Sequence, residues 1–284
     1  MHIVAIFGIV LLIILRLVGL LVSIEFKLEF KGNKYIVLII GWFFWTIAGI
    51  SALSAGFIEI PLFSDLFLLM NGISSTLAML FILIGLHSYF RKVKVKSLIV
   101  LSTIFTMIPL IAFFLGFYPI SLNISFIFLF FVILFYAFLP FGRLEVFRTK
   151  LTPKSLFWYL ILVIVITMTV ISYVIFVFQG HSYGFYSDDF SIAMFTNYFL
   201  GNISTLVILI YSIHLEYDIS KIQKYELRDR YSHDLGNIIQ VIYSATDLTK
   251  ESDDLNKDNS ENLELIQKKC EEAAKLIKDI KDTQ

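Results

Sequence analysis

Three residues near the carboxyl end of the chain, His233, Asp234 and Asn237, have the types and spacing needed for chemistry at a histidine. The apolar residues around them recur every three or four positions, which predicts a helix with one apolar seam. The seam residues are Tyr231, Leu235, Ile238, Ile242 and Ala245. At 100° per residue, His233 lies about 200° around the helix from Tyr231, so its imidazole is predicted to face water. Asn237 is one turn further along the same outward face.

This arrangement is suited to phosphoryl transfer through the imidazole of His233. A solvent-facing imidazole can act as a nucleophile near neutral pH. The carboxylate of Asp234 can orient one ring nitrogen and accept its proton, and the amide of Asn237 can position a water or a phosphoryl oxygen. A His-Asp pair on a helix is often without function. The phosphotransfer interpretation therefore depends on the location of this pair in a soluble segment that follows a membrane domain.

The run from His233 to Ile242, His-Asp-Leu-Gly-Asn-Ile-Ile-Gln-Val-Ile, resembles the phosphoacceptor motif of sensor histidine kinases. The resemblance extends over residues 217–282. It implies that His233 is phosphorylated, that Asp234 is the base in phosphotransfer, and that Asn237 is linked to dephosphorylation of a partner response regulator. In that family the motif lies on the first helix of a hairpin, which dimerises into a four-helix bundle. The implied partners are therefore a second copy of the chain and a receiver domain.

One departure from the family concerns the ATP-binding domain, which would follow the hairpin, whereas this chain ends at Gln284. We therefore expect no cofactor in this chain, with ATP and Mg²⁺ bound only on a separate kinase catalytic subunit. Whether the chain is itself an enzyme is left open. Gly236 within the motif lowers helix propensity by about 1 kcal/mol relative to Ala, and either local flexibility or close packing would explain it.

The composition indicates a membrane protein, because 58% of the 284 residues are hydrophobic and only 16% are charged. A soluble domain has nearly a quarter of its residues charged. The single cysteine, Cys270, excludes an intrachain disulfide and a multi-cysteine metal site, and no metal site is predicted. Cys270 is predicted to be a small core residue of the last helix.

Seven apolar stretches of about 18–24 residues are each long enough to cross a hydrocarbon layer of about 30 Å. They cover residues 1–23, 35–58, 66–89, 97–117, 122–139, 155–178 and 191–213. Arg16 lies within the first stretch. It is either a functional charge inside the membrane or a side chain whose long stem reaches the cytoplasmic face.

The loops between these stretches alternate in charge. The loops after the first, third and fifth stretches contain three, four and four Lys or Arg residues, and the other three loops contain none. Because basic loops stay in the cytoplasm, the amino terminus is predicted to lie outside and the tail from His214 onward inside.

The tail is predicted to form two helices. Residues 215–249 contain no Pro and one Gly, which favours a continuous helix, and the polar residues 251–260 predict a loop. Apolar residues then recur at spacings of three and four, which predicts a return helix with its own seam. They are Leu263, Ile266, Cys270, Ala273, Ile277 and Ile280. Two seams per chain suit a dimeric four-helix bundle.

The chain is thus predicted to be all-α, with a seven-transmembrane sensor domain over residues 1–214 and a cytoplasmic phosphoacceptor hairpin over residues 215–284. The spans contain few ionisable residues, which argues against an ion transporter, and no nucleic-acid partner is predicted. The predicted function is that of a multi-pass cell-membrane sensor of two-component signalling. The alternative is a non-enzymatic seven-helix receptor or anchor whose tail only dimerises or docks a partner.

Overall fold

The computed structural model describes residues 3–29, 33–89, 95–138, 152–178, 192–250 and 257–282. All regular structure in these ranges is α-helical, which confirms the all-α prediction. The helices in the described ranges are α1 (Ile3–Glu29), α2 (Asn33–Ala55), α3 (Pro61–His87), α4 (Val95–Phe114), α5 (Tyr118–Phe138), α6 (Pro153–Phe178), α7 (Ile192–Lys250) and α8 (Lys257–Asp282).

Five of the described helices contain segments long and apolar enough to cross a membrane. These segments are Ile3–Glu29, Lys34–Ala55, Pro61–His87, Lys96–Phe114 and Tyr198–Lys221. Two further apolar stretches, Ile120–Phe135 and Pro153–Thr169, are shorter. Large apolar side chains such as Phe7, Leu21 and Phe114 are exposed on the surface of these helices, as expected where lipid replaces water.

The chain divides into two compact units, residues 1–216 and residues 217–284. In the first unit, α1 and α2 run in opposite directions. Arg16 on α1 meets Trp45 on α2, where the guanidinium Nη1 donates a hydrogen bond to the Trp45 carbonyl oxygen at 2.8 Å. Three residues further along α1, Gly19 packs against Trp42, three residues earlier on α2. Contacts that advance along one helix and retreat along the other define an antiparallel pair.

The α2 and α3 helices are also antiparallel, and glycine lets them approach closely. Gly41 lies against Ile82, and Leu38 lies against Gly85. In lipid, helices associate through such van der Waals contacts, because the surrounding hydrocarbon offers no hydrophobic driving force between them.

The same reversed order of contacts relates α4 to α5 and α6 to α7. The pairs that define it are Phe105–Phe128 and Phe113–Tyr118, then Tyr159–Tyr211 and Thr169–Ser204. By contrast, α1 and α7 run in the same direction, since Gly8 meets Tyr198 and Leu12 meets Gly201.

The second unit contains the later part of α7 and all of α8. Gln267 on α8 donates a hydrogen bond through Nε2 to Oδ1 of Asp247 on α7 at 2.6 Å. Cys270 is buried, as predicted, and Ser232 and Thr246 of α7 are buried as well.

The predicted seam of α7 is not the face that this unit buries. Tyr231, Leu235, Ile238 and Ile242 remain 41% to 63% exposed. The buried face lies one residue further along the helix, at Ser232 and Thr246. Periodicity correctly groups the apolar residues on one face, but within a single chain that face stays uncovered.

Replacing Gly41 by Ala is expected to destabilise the first unit. The new Cβ atom would lie 2.7 Å from Cγ1 of Ile82 and 2.9 Å from its backbone nitrogen, so α2 and α3 must separate. Overpacking of this kind costs about 1–3 kcal/mol. Thermal unfolding of the purified protein in detergent, followed by far-ultraviolet circular dichroism, should show a lower midpoint.

The matched control is Gly201→Ala, whose Cβ atom would lie 3.9 Å from the Leu12 side chain, in ordinary van der Waals contact. Equal unfolding midpoints for Gly41→Ala and Gly201→Ala would contradict the close approach of α2 and α3.

Candidate functional site

The three predicted site residues lie together on the solvent-facing surface of α7 in the second unit. The side chain of His233 is 70% exposed and that of Asp234 is 59% exposed. Asn237, one helical turn after His233, is exposed as well. The helical pattern therefore gives the orientation of the imidazole correctly.

Asn237 and Asp234 both lie next to the same ring nitrogen of His233. Nδ2 of Asn237 is 3.3 Å from Nδ1 of His233, within hydrogen-bonding distance. Oδ1 of Asp234 is 3.7 Å from the same Nδ1, which is close enough for an ion pair when the ring is protonated. The Asn237 amide donates to Nδ1 through its NH₂ group, or accepts from a protonated Nδ1 through its oxygen after rotation.

In this geometry the other ring nitrogen of His233, Nε2, is the one available to react. Among the described side chains, the polar neighbours of the imidazole are both at Nδ1. When the Asn237 amide is rotated so that its oxygen faces Nδ1, Nδ1 carries the proton and the lone pair is on Nε2, which is then the nucleophilic atom of His233. The carboxylate of Asp234 can offset the positive charge that develops on the ring when Nε2 forms a bond.

Gly236 places no side chain on the helix surface beside His233. A Cβ atom built on Gly236 would meet no described atom within 4 Å. Close packing among the described residues therefore does not require a glycine here. Because Gly236 is three residues after His233, the imidazole has a small neighbour on its own face.

The described residues contain no group of three or more His, Cys, Asp or Glu side chains placed to hold a metal ion. In the first unit, however, sequence reasoning missed a polar cluster centred on Glu216. This carboxylate is buried. Its Oε1 accepts a hydrogen bond from the Tyr35 hydroxyl at 2.5 Å, and its Oε2 accepts one from the Tyr89 hydroxyl.

Lys34 completes the cluster, with Nζ 3.4 Å from Oε2 of Glu216 and 3.8 Å from the centre of the Tyr89 ring. The Tyr89 hydroxyl thus donates to the carboxylate of Glu216 beneath the ammonium of Lys34. The cluster connects α7 to the start of α2 and to the residue two positions beyond the end of α3. The sequence gives little signal for the cluster, because Glu216 follows the last apolar stretch and lies between the polar residues His214 and Asp218.

The chain matches no known protein family, no curated protein and no solved structure. The resemblance to sensor histidine kinases therefore rests on the motif from His233 to Ile242 and the two-helix pattern of residues 217–282.

Proposed function

We propose that this chain is a membrane-embedded sensor of two-component signalling, in which His233 accepts a phosphoryl group and passes it to an aspartate of a response regulator. The observation that carries the proposal is the exposed imidazole of His233 with Asp234 and Asn237 both beside Nδ1. A histidine held only for packing would have its ring buried.

The transfer proceeds at Nε2 of His233. Its lone pair attacks phosphorus, a bond from nitrogen to phosphorus forms, and the bond from phosphorus to the leaving oxygen breaks. Asp234 accepts the proton of Nδ1 as the new bond forms, so that the phosphorylated ring is neutral, and the proton returns to Nδ1 when the imidazole leaves. In the second step a carboxylate of the receiver domain attacks phosphorus and the imidazole leaves. The phosphoryl donor, ATP with Mg²⁺, would be bound by a separate catalytic domain.

The membrane part of the proposal is a bundle of seven spans, with the shorter apolar stretches in α5 and α6 included. The opposite directions of α1 and α2, α2 and α3, α4 and α5, and α6 and α7 support this arrangement. So does the parallel orientation of α1 and α7, because the first and seventh spans must cross in the same direction. The basic loops then place the amino terminus outside and residues 215–284 in the cytoplasm.

The proposal also includes a homodimer formed through a hairpin of α7 and α8. The exposed seam residues Tyr231, Leu235, Ile238 and Ile242 form an apolar face that a single chain leaves in water. A second copy would cover this face and give a four-helix bundle. His233 lies on a different side of α7 and would stay accessible in that bundle.

His233→Gln is expected to abolish phosphorylation of the protein. The full-length protein in lipid nanodiscs should be incubated with a histidine kinase catalytic domain and radiolabelled ATP, or with a phosphorylated receiver domain. Because phosphohistidine is acid-labile, the label on the native chain should be lost in acid and retained in alkali.

The control is His214→Gln, which changes a histidine stacked on Trp158 at 6.0 Å between ring centres and should keep the label. No label on the native chain, or equal label on His233→Gln, would contradict the proposed role and favour a tail that only dimerises or docks a partner.

Asp234→Asn should slow phosphorylation of His233 by about 10²- to 10⁴-fold, the range for loss of a general base. Asn237→Ala should leave this step largely intact and slow the loss of phosphate from the receiver domain. Single-turnover rates of both steps separate the two roles. Asp229→Asn, an exposed acidic residue on the same helix, is the control. Loss of both steps in Asn237→Ala would contradict separate roles.

Leu235→Lys is expected to weaken self-association, because it places a charge in the apolar face that the second copy would cover. The stoichiometry of the detergent-solubilised protein can be measured by light scattering after size-exclusion chromatography. Gln240→Lys introduces the same charge at an exposed polar position of α7 and should remain dimeric. A native chain that is monomeric, or a dimeric Leu235→Lys variant, would argue against this interface.

A further inference from the structure

The first unit contains a cavity of about 220 Å³ between α1, α2, α3, α5, α6 and α7. Most of its lining is apolar and aromatic, including Leu12, Met79 and Phe130. Its polar lining residues are Arg16, Asn71, Ser75, Thr169 and Ser204. An apolar cavity with a few polar groups is the usual form of a small-molecule site.

Arg16 provides the charge in this cavity. It is only 9% exposed, so its stem does not carry the guanidinium out to solvent. The guanidinium packs over the Trp45 ring at 4.8 Å, and Nη1 donates to the Trp45 carbonyl oxygen. The guanidinium of Arg16 has five N–H donors. Among the described residues, only the Trp45 carbonyl oxygen accepts a hydrogen bond from it. Its Nε atom is buried without a hydrogen-bond partner among the described residues.

A buried guanidinium in this state lacks a counter-charge. No carboxylate of the described residues forms an ion pair with Arg16. A charge at membrane depth is costly unless it is paired, so the site favours an anion. A carboxylate matches the guanidinium best, because its two oxygens can each accept an N–H hydrogen bond.

The size and walls of the cavity define the rest of the ligand. A cavity of about 150 Å³ holds benzene, so about 220 Å³ can hold a carboxylate with an apolar body of about six to eight carbons. We propose that this cavity binds a small amphiphilic monocarboxylate, with its carboxylate on Arg16 and its apolar body against the walls.

The position of the cavity indicates the side from which the ligand enters. Its α1 lining residues Ile9 and Leu12 and its α7 lining residues Tyr198 and Ser204 lie nearer the amino ends of their helices. Under the proposed orientation these ends are outside. The ligand therefore comes from the external solution or from the outer leaflet. The idea that this ligand is the sensed cue rests on the proposed signalling function. The binding of the ligand to the cavity does not depend on that function.

The test is isothermal titration of the full-length protein, in nanodiscs of neutral phosphatidylcholine, with octanoate and its uncharged analogue octanamide. Octanoate should bind at least about 10-fold more tightly than octanamide, because only octanoate can offset the charge of Arg16. Arg16→Gln should weaken octanoate binding about 10- to 100-fold and leave octanamide binding nearly unchanged. Lys154→Gln, which removes an exposed positive charge outside the cavity, is the control.

A second variant keeps the test valid if Arg16→Gln does not fold. Ala52→Phe fills the apolar part of the cavity while Arg16 is retained, and it should also abolish octanoate binding. A phosphatidylcholine with one nine-carbon chain that ends in a carboxylate, incorporated into the bilayer, tests the other source. Arg16-dependent binding of this lipid in preference to octanoate assigns the ligand to the leaflet, and the reverse assigns it to the external solution.

Equal binding of octanoate and octanamide, or no Arg16-dependent binding of either carboxylate, would overturn the proposal. Phosphorylation of His233 in the same preparations separates this outcome from failure of the signalling function. A protein that accepts phosphate at His233 and binds no carboxylate retains the signalling proposal and loses the ligand proposal.

Discussion

The hydrogen bonds of the buried Glu216 carboxylate connect α7 to the start of α2 and to the residue two positions beyond the end of α3. An ionised carboxylate removed from water is strongly destabilising unless charged and hydrogen-bonding groups surround it. Here the hydroxyls of Tyr35 and Tyr89 and the ammonium of Lys34 surround it. Removing one donor would leave a buried charge incompletely paired, so the ends of α2 and α3 and this point of α7 depend on one another. The same helix contains His233.

The helical nature of the tail and the exposure of His233 could be predicted from the sequence, because both follow from local periodicity. The surface that covers the apolar seam could not be predicted from the sequence. Spacing shows that Tyr231, Leu235 and Ile238 share a face, but it does not show which face meets the neighbouring helix. The face that is buried includes the small polar residues Ser232 and Thr246, which have no apolar signature.

The roles of Glu216 and Arg16 were beyond sequence reasoning for a different reason. Glu216 accepts a hydrogen bond from Tyr35, which lies 181 positions away in the sequence, and Arg16 donates one to Trp45, which lies 29 positions away. No pattern within a window of a few helical turns contains both partners. Sequence reasoning identified Arg16 as unusual because a charge within an apolar run is costly, yet its burial and the cavity beside it depend on how six helices pack.

The contacts of α7 with its neighbours differ along its length. Near its beginning, α7 packs against α1 through Tyr198, which shares a buried apolar cluster with Ile9 and Leu12, and through a hydrogen bond of 3.3 Å from Asn202 to the Gly8 carbonyl oxygen. At Glu216 it is held by three side-chain donors. A ligand shifts an equilibrium only by binding one arrangement better than another. Under the ligand proposal, a molecule in the cavity would touch α7 at Tyr198, Gly201 and Ser204, so any difference in its affinity for two arrangements would act on this helix before the Glu216 cluster is reached.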